Sequence, residues 1–322
     1  MNKNEEIAFL ILTGFSCNNN CIFCSNINDR AQDRSTSEIL EDIKTAHNQK
    51  KYNTIEFLGG EVTIRSDFFK LISYANQLGF KKIRITTNGR MFSYPEFSKK
   101  AVKAGLKDIT VSIYGHNKKL HEGATRSPGS FEQCIAGIKN IKKIKGLNLL
   151  TSTVVSKINY KYLYEIGSFV HKLGSSRWNI FDLIPDGKGA ENYDILMVNY
   201  KKISPYINKI YNLTNKINIT IYDFPLCLFE NKFFNNEHIL FFTPETRYRH
   251  SMKQVGYGFS HRVDKISKDS KIIYQDKYRI KTDFCKKCLY FNKCQGITKQ
   301  YFKKYGIKEI KELSRINIGL ET

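Results

Sequence analysis

The cysteines are the residues of this chain whose type and spacing most directly indicate chemistry. Cys17, Cys21 and Cys24 form a Cys-x3-Cys-x2-Cys pattern in an asparagine-rich stretch. Three thiolates so close together on a turn can converge on one metal centre, and three protein ligands to a four-iron cubane leave one iron open. A zinc site would normally need a fourth ligand nearby, and the next histidine, His47, falls in a predicted helix. The spacing therefore predicts a metal or cluster site.

A second group of cysteines lies near the C-terminus. Cys285, Cys288 and Cys294 form Cys-x2-Cys-x5-Cys, and Cys227 stands alone upstream. Together these four thiolates can saturate one tetrahedral ion or one four-iron cluster. A structural zinc is the serious alternative, because Cys-x2-Cys is also a zinc-knuckle spacing. The remaining Cys134 lies in a predicted helix and is expected to be a small buried side chain.

Composition limits the class of protein. Of 322 residues, 41% are hydrophobic and 13% aromatic, which is enough for a packed core. The net charge is +22, but the excess is spread along the chain, which favours a general lysine bias over a nucleic-acid site. No apolar run reaches the roughly 20 residues of a membrane span, and the polar start is unlike a secretory signal. We therefore expect a cytoplasmic protein whose thiols stay reduced.

Short β-type runs alternate with amphipathic helical stretches from the N-terminus onward. The predicted strands are Ile7–Leu12, Thr54–Leu58, Lys82–Thr87, Asp108–Ile113, Leu147–Val155 and Arg177–Leu183. The predicted helices are Ser37–Lys50, Ser66–Leu78, Tyr94–Ala104, Ser130–Ile144 and Tyr160–Leu173. Such alternation predicts an α/β fold with a parallel sheet covered by helices. Six strands fit a partial (β/α)6, TIM-like barrel.

The regular alternation of strands and helices ends after Pro185. A helix is predicted over Val198–Asn215 and an alternating strand over Ile217–Asp223, and the remainder is aromatic-rich and irregular. This remainder holds the second group of cysteines. We therefore expect a core domain over residues 1–215 and a smaller, irregular C-terminal domain over residues 216–322.

The first cysteine group and several strand-end motifs resemble the radical S-adenosylmethionine (radical SAM) enzymes. Phe23 precedes the third cysteine as in that signature, and Gly59-Gly60-Glu61 ends the second strand where the family has its GGE motif. Further ordered matches are Thr86-Thr87-Asn88-Gly89, Val111-Ser112-Ile113-Tyr114-Gly115, His121-Glu122, Thr125-Arg126 and Gly129-Ser130-Phe131. The resemblance covers roughly residues 5–190. The matches fall at the C-terminal ends of predicted strands, where barrel enzymes place their chemistry.

The resemblance implies a cofactor and a reaction. Cys17, Cys21 and Cys24 would hold a 4Fe–4S cluster whose fourth iron takes S-adenosylmethionine. In the family, reductive cleavage of this cofactor gives a 5′-deoxyadenosyl radical, which abstracts hydrogen from a substrate. The protein binds, orients and excludes water, and the radical chemistry belongs to the cofactor. A reductant such as flavodoxin or ferredoxin is an expected partner.

The resemblance also implies individual cofactor contacts. The Gly59-Gly60 pair would permit close backbone approach to the methionyl end, where a Cβ would be an obstacle. Glu61 would accept a hydrogen bond from the methionyl ammonium, and Arg126 would pair with the methionyl carboxylate through its planar guanidinium. Ser112 would bond the carboxylate or a ribose hydroxyl. Phe23 would stack on adenine, or pack beside the cluster.

The second cysteine group resembles the auxiliary-cluster domains of radical SAM enzymes, the SPASM and Twitch types. Thr298 stands where a full SPASM domain has a further cysteine, so we expect one second 4Fe–4S cluster, held by Cys227, Cys285, Cys288 and Cys294. Relatives of this type modify peptides, protein side chains or small-molecule precursors. The other hypotheses are an RNA-modifying radical SAM enzyme and a non-catalytic zinc or cluster protein that binds nucleic acid.

Overall fold

A sheet of eight parallel strands in chain order forms the centre of the molecule. The computed structural model describes residues 8–25, 33–242 and 278–318. The strands are β1 (Ala8–Leu12), β2 (Thr54–Leu58), β3 (Lys82–Thr87), β4 (Asp108–Ser112), β5 (Asn148–Val154), β6 (Arg177–Phe181), β7 (Asn218–Tyr222) and β8 (Ile239–Phe242). The sheet curls into a half-barrel, and the described parts of β1 and β8 do not pair with each other.

Helices follow most strands and cover the outer face of the sheet. They are α1 (Thr36–Asn48), α2 (Phe68–Gln77), α3 (Pro95–Ala104), α4 (Lys118–Thr125), α5 (Ser130–Lys142), α6 (Leu163–Lys172), α7 (Lys188–Glu191), α8 (Tyr193–Leu196) and α9 (Tyr200–Lys209). Local signals set their ends. Ser35 and Glu38 form a capping box at the start of α1, and Gly105, with φ of 116°, ends α3 in the left-handed conformation.

Side chains of the strands alternate between two environments. Ile55 and Phe57 on β2 are fully buried under the helices, whereas Glu56 between them is partly exposed on the inner face of the half-barrel. On β6, Trp178 and Ile180 lie in the outer core in the same way. The apolar core therefore lies between sheet and helices, and the inner face carries polar and aromatic side chains.

The C-terminal segment adds a smaller, irregular layer. It contains the antiparallel pair β9 (Arg279–Ile280) and β10 (Ile297–Thr298), followed by helices α10 (Lys299–Tyr305) and α11 (Lys308–Ile318). The fully buried Tyr301 accepts a hydrogen bond from the backbone N–H of Tyr200 at 2.8 Å, which attaches α10 to α9.

The predicted α/β partial barrel is confirmed, and every predicted strand matches an observed one to within two residues in the part described. Ile7 lies outside the described residues. The sheet has two strands more than the six expected. One of them, β7, falls beyond residue 215 yet pairs with β6, while the division into domains at 215/216 itself stays a prediction. Sequence reasoning had not predicted helices α4, α7, α8, α10 and α11. No helix in the described ranges is long and apolar enough to cross a membrane.

Candidate active site

The loop Cys17–Cys24 leaves the carboxyl end of β1 and is held from two sides. The backbone N–H of Asn20 donates to the carbonyl of Thr125 at the end of α4, at 2.9 Å. The carbonyl of Cys24 accepts from the N–H of Lys188 in α7, also at 2.9 Å. These bonds satisfy the polar groups of the loop without a regular element, so the loop keeps one course beside the strand ends.

The hydroxyl of Tyr114 lies near the thiols of Cys17, Cys21 and Cys24. Burial holds the pKa of Tyr114 well above its usual range, negative charge on Cys21, Cys24 and Cys17 raises it further, and a hydrogen bond with Ser112 lowers it. One hydroxyl responds to all three thiols only if all three lie near it. Nevertheless, no three His, Cys, Asp or Glu side chains in the described chain form a ready-made metal site. The three thiols therefore lie near one another but do not surround a single position as the ligands of one metal ion would. Three thiols from one loop fit a 4Fe–4S cluster with three protein ligands.

The two glycines of the strand-end motif pack against the segment that leads into Cys17. A Cβ on Gly60 would lie 2.1 Å from the carbonyl oxygen of Ser16, and one on Gly59, where φ is +136°, 2.5 Å from that of Gly14. The backbone N–H groups of Gly60 and Glu61 donate to these same carbonyls, each at 2.8 Å. The contact that requires glycine is therefore with the protein's own loop. Approach to a cofactor stays a prediction.

The carboxylate of Glu61 is buried and already accepts protein hydrogen bonds. Its Oε1 accepts from the hydroxyl of Thr87 at 2.6 Å and the N–H of Thr63 at 3.2 Å, and its Oε2 accepts from the N–H of Asn88 at 2.7 Å. Burial raises the pKa of Glu61, and these bonds oppose the shift. The carboxylate thus joins the end of β2 to the end of β3. Its predicted bond to a methionyl ammonium stays untested.

Arg90, which sequence reasoning did not single out, and Asn88 of the Thr86-Thr87-Asn88-Gly89 motif hold the cysteine loop from the end of β3. Arg90 donates from Nη1 to the carbonyl of Asn18 and, at 2.9 Å, to Oδ1 of Asn19, while its Nε donates to Gln133 at 2.6 Å. Asn88 donates from Nδ2 to Oδ1 of Asn18 at 2.6 Å. The only sequence signal for Arg90 is its position directly after the Thr86-Thr87-Asn88-Gly89 motif.

Phe23 and Ser112 lie on the same side of the strand ends as the thiols. Phe23 is buried and meets the ring of Tyr114 edge to face, with centroids 4.8 Å apart. The hydroxyl of Ser112 lies 3.2 Å from that of Ser152 on β5. Packing therefore accounts for Phe23 without a ligand, and adenine stacking stays a prediction.

Arg126 ends helix α4 in an unusual backbone conformation. Its φ and ψ of 50° and 38° are left-handed, which is uncommon outside glycine, and its N–H donates to the carbonyl of Glu122 at 2.8 Å. The side chain is exposed next to the anchored loop. Its predicted pairing with a carboxylate stays untested.

The second cysteine group also meets in space. Cys227, Cys285, Cys288 and Cys294 line one cavity together with apolar side chains of α11. Burial raises the pKa of three of these thiols, and in Cys227 the neighbouring Cys294 adds to the shift. Four thiols around one cavity fit a four-ligand cluster or zinc. Cys134 is fully buried in α5, as expected, and burial raises its pKa to about 12.

Known proteins resemble this chain in sequence. The model of the Radical SAM superfamily matches residues 11–170. An AdoMet-dependent heme synthase of Methanosarcina barkeri is 30% identical over 205 residues, which are 63% of this chain and 57% of that protein. The mycofactocin maturase MftC of Mycolicibacterium smegmatis is 28% identical over 56% of this chain and 46% of its own length. The chain thus spans about half the length of these curated relatives.

One solved structure resembles nearly the whole chain. Native anSMEcpe with bound AdoMet aligns over 98% of this chain and 100% of its own, with a TM-score of 0.61 and 15% identity. At this identity the likeness shows the fold alone. Fold, motifs and family match together define an α/β half-barrel enzyme with a three-cysteine loop at its carboxyl edge. The chain belongs to the radical SAM superfamily.

Proposed function

We propose that this chain cleaves S-adenosylmethionine reductively and uses the resulting radical to abstract hydrogen from a peptide or small-molecule precursor. The observation that carries the proposal is the position of Cys17, Cys21 and Cys24 on one loop at the carboxyl end of β1, which Arg90 and the end of α4 hold beside the strand ends. These thiols would hold a 4Fe–4S cluster, which would supply the electron that breaks the C–S bond. The strand ends around it supply binding and orientation.

The chain's own residues have distinct parts in this proposal. Arg90 and Glu61 fix the cysteine loop and the strand ends, so the ligand positions are set before the cofactor binds. Arg126 receives the methionyl carboxylate, and Ser112 bonds the ribose or the carboxylate. Phe23 covers the loop and keeps water from it.

The C-terminal thiols hold a second 4Fe–4S cluster in this proposal, in a SPASM- or Twitch-like segment. Its support is the cavity that all four thiols line. Four protein ligands leave no iron open, so this cluster serves structure or electron relay rather than cofactor cleavage. Electrons come from a flavodoxin- or ferredoxin-type reductant. A peptide substrate is supported by the likeness to a mycofactocin maturase, and a small-molecule substrate by the likeness to a heme synthase.

The test is anaerobic reconstitution followed by measurement of iron, zinc and 5′-deoxyadenosine under dithionite. We expect about eight irons per chain, and about four with no 5′-deoxyadenosine in the triple variant Cys17→Ala, Cys21→Ala, Cys24→Ala. The matched control is Cys134→Ala, a buried cysteine outside both groups, which should keep iron and product. A triple variant that still forms 5′-deoxyadenosine would refute the site. Stoichiometric zinc with four irons would make the second site a structural zinc site.

A further inference from the structure

The inner face of the half-barrel carries a polar row that the cofactor site described above does not use. Ser152, Asn179 and Thr220 are register partners on β5, β6 and β7. Trp178 and Ile180, on either side of Asn179, are fully buried in the outer core. Because neighbouring strand residues point to opposite faces, Asn179 points into the half-barrel.

The Oδ1 atom of Asn179 is buried and lacks a hydrogen-bond partner among the described residues. Asn179 is only 8% exposed, and no described residue donates a hydrogen bond to its Oδ1. Its neighbours in the row are engaged elsewhere, since Thr220 accepts from Arg177 at 2.9 Å and Ser152 meets Ser112. An unsatisfied buried amide lowers stability, so its presence on a concave face points to a ligand that supplies the missing donor.

An aromatic shelf lies one step nearer the carboxyl edge. Phe181 follows Asn179 by two residues on the same face and stacks on Tyr222, with centroids 4.2 Å apart and planes at 14°. Tyr222 in turn packs against Phe242 at 4.7 Å. Phe181 and Tyr222 are half-buried, unlike the fully covered residues of the outer face. A ring that packs beside Phe181 would reach Asn179 with its edge, because residues two apart on a strand are about 7 Å apart.

The charges deeper in the half-barrel neutralise one another. Arg84 pairs with Asp108 at 3.0 Å and with Glu56 at 3.5 Å, toward the amino ends of the strands. Arg177, which lies two residues before Asn179 on the same face of β6, donates to Thr220 and brings the count to two arginines and two carboxylates, so these four groups carry no net charge that would attract an ion to the polar row. The aromatic shelf and the amide therefore favour an uncharged ring.

We propose that Asn179 and the aromatic shelf bind an uncharged planar ring that carries an N–H or O–H donor, with the donor on Oδ1 of Asn179. The inference rests on the proposed function, because the bond between Ser152 and Ser112 places this site next to the predicted cofactor site. The ring belongs either to a peptide side chain, as a phenol, or to a free heteroaromatic molecule. Asn179 would then determine specificity rather than take part in radical formation.

The test uses matched ring probes on the reconstituted full-length protein, with calorimetry to measure affinity. N-acetyl-L-tyrosinamide and N-acetyl-L-phenylalaninamide represent a peptide side chain with and without the donor. Indole and 1-methylindole represent a free ring with the donor present and blocked. In wild type, the donor-bearing member of at least one pair should bind at least tenfold more tightly, and the pair that shows this identifies the source of the ring.

Two variants distinguish the contribution of the donor's hydrogen bond from that of ring packing. Asn179→Leu should abolish the preference for the donor-bearing probe while it unfolds at the same temperature as wild type or higher, because an unsatisfied amide has been removed. Tyr222→Leu should weaken both members of a pair and leave their ratio unchanged. Equal affinities within both pairs in wild type, a preference retained in Asn179→Leu, or a marked fall in its unfolding temperature would each overturn the inference.

The same wild-type preparation is assayed for 5′-deoxyadenosine, so the two proposals fail separately. Cleavage of S-adenosylmethionine without discrimination between probes would refute the ring site alone. Discrimination without cleavage would refute the proposed function and leave the ring site standing.

Discussion

The guanidinium of Arg90 holds much of the loop between Cys17 and Cys21 in place. Arg90 bonds Asn18, Asn19 and Gln133, so it fixes the loop from a neighbouring strand end. We predict that Arg90→Ala makes the first site lose iron to a chelator roughly tenfold faster or more, the scale for groups that orient metal ligands. Arg90→Lys should also be impaired, because an ammonium cannot reproduce the planar fork.

The matched control for Arg90 is Arg34→Ala. This variant loses a 2.6 Å ion pair with Asp42 and a 3.1 Å bond to the carbonyl of Leu12 at the end of β1, but no bond to the asparagines of the loop. Equal iron loss from both variants would show that general destabilisation, not the loop contact, explains the effect.

Arg126 combines a left-handed backbone with an exposed guanidinium, and substitutions can separate the two. Arg126→Lys keeps the charge and should weaken S-adenosylmethionine binding by about 1.5–3 kcal/mol, roughly ten- to a hundredfold, because lysine cannot bind a carboxylate bidentately. Arg126→Gly should weaken binding at least as much while it maintains or raises stability, because glycine adopts this φ freely. Calorimetry with unchanged affinity in both variants would return Arg126 to a purely structural role.

Between elements, the close contact of β2 with the cysteine loop is the most constrained feature. We predict that Gly60→Ala destabilises the protein by about 1–3 kcal/mol, because the added Cβ would lie 2.1 Å from a backbone oxygen that cannot rotate away. The measurement is the urea midpoint of the chain without iron, followed by iron uptake. Iron uptake at the first site should fall as well.

Helix α4 offers the control for this substitution. Gly123 lies in α4, and nothing stands within 4 Å of the position that its Cβ would take. Gly123→Ala should be neutral or stabilise by up to about 1 kcal/mol, since alanine favours the helix. If Gly60→Ala is as well tolerated as Gly123→Ala, the strand end and the loop are not packed as tightly as the structure indicates.

At the scale of the whole molecule, a buried carboxyl joins the half-barrel to the C-terminal segment. Asp182 follows β6 and accepts from the hydroxyl of Tyr200 at 2.6 Å and from the N–H of Leu183 at 2.9 Å. Burial raises the pKa of Asp182 to about 7, against the attraction of Arg279 on β9. The folded state therefore holds this proton more tightly than the unfolded chain, where the pKa is about 3.9.

A carboxyl with a raised pKa contributes stability that is lost as pH rises from about 4 to about 7, by at most about 1.4 kcal/mol per pH unit. We predict that Asp182→Asn removes this loss, so the unfolding free energy of the variant rises relative to wild type across that interval. The quantity to measure is the difference in unfolding free energy between Asp182→Asn and wild type at each pH. Burial lowers the pKa of His121 to about 4, so His121 makes stability rise with pH in both proteins, and this contribution cancels in the difference. Parallel pH curves would show that Asp182 is ionised throughout.

The sequence by itself determined most of the elements and which thiols are proposed as ligands. Strand β3 was predicted at its observed bounds, because alternation of apolar and polar residues reports the two faces of a sheet directly. The thiol spacings within Cys17–Cys24 and Cys285–Cys294 likewise fix which side chains can share a metal, since these distances are set along the chain. Helix α4 escaped prediction because it has only eight residues and one of them is a glycine, which lowers helix propensity.

Only the tertiary structure decided which distant residues support these ligands. The bond of Arg90 to the cysteine loop joins residues about 70 positions apart, and the carboxylate of Glu61 meets Asn88 across two strand ends. It also brought Cys227 to the three later cysteines and left Oδ1 of Asn179 without a donor from the described residues. Such contacts depend on sheet register and on the curl of the half-barrel. The spacing of residues along the chain does not indicate either feature, because both arise from how the strands and helices pack together.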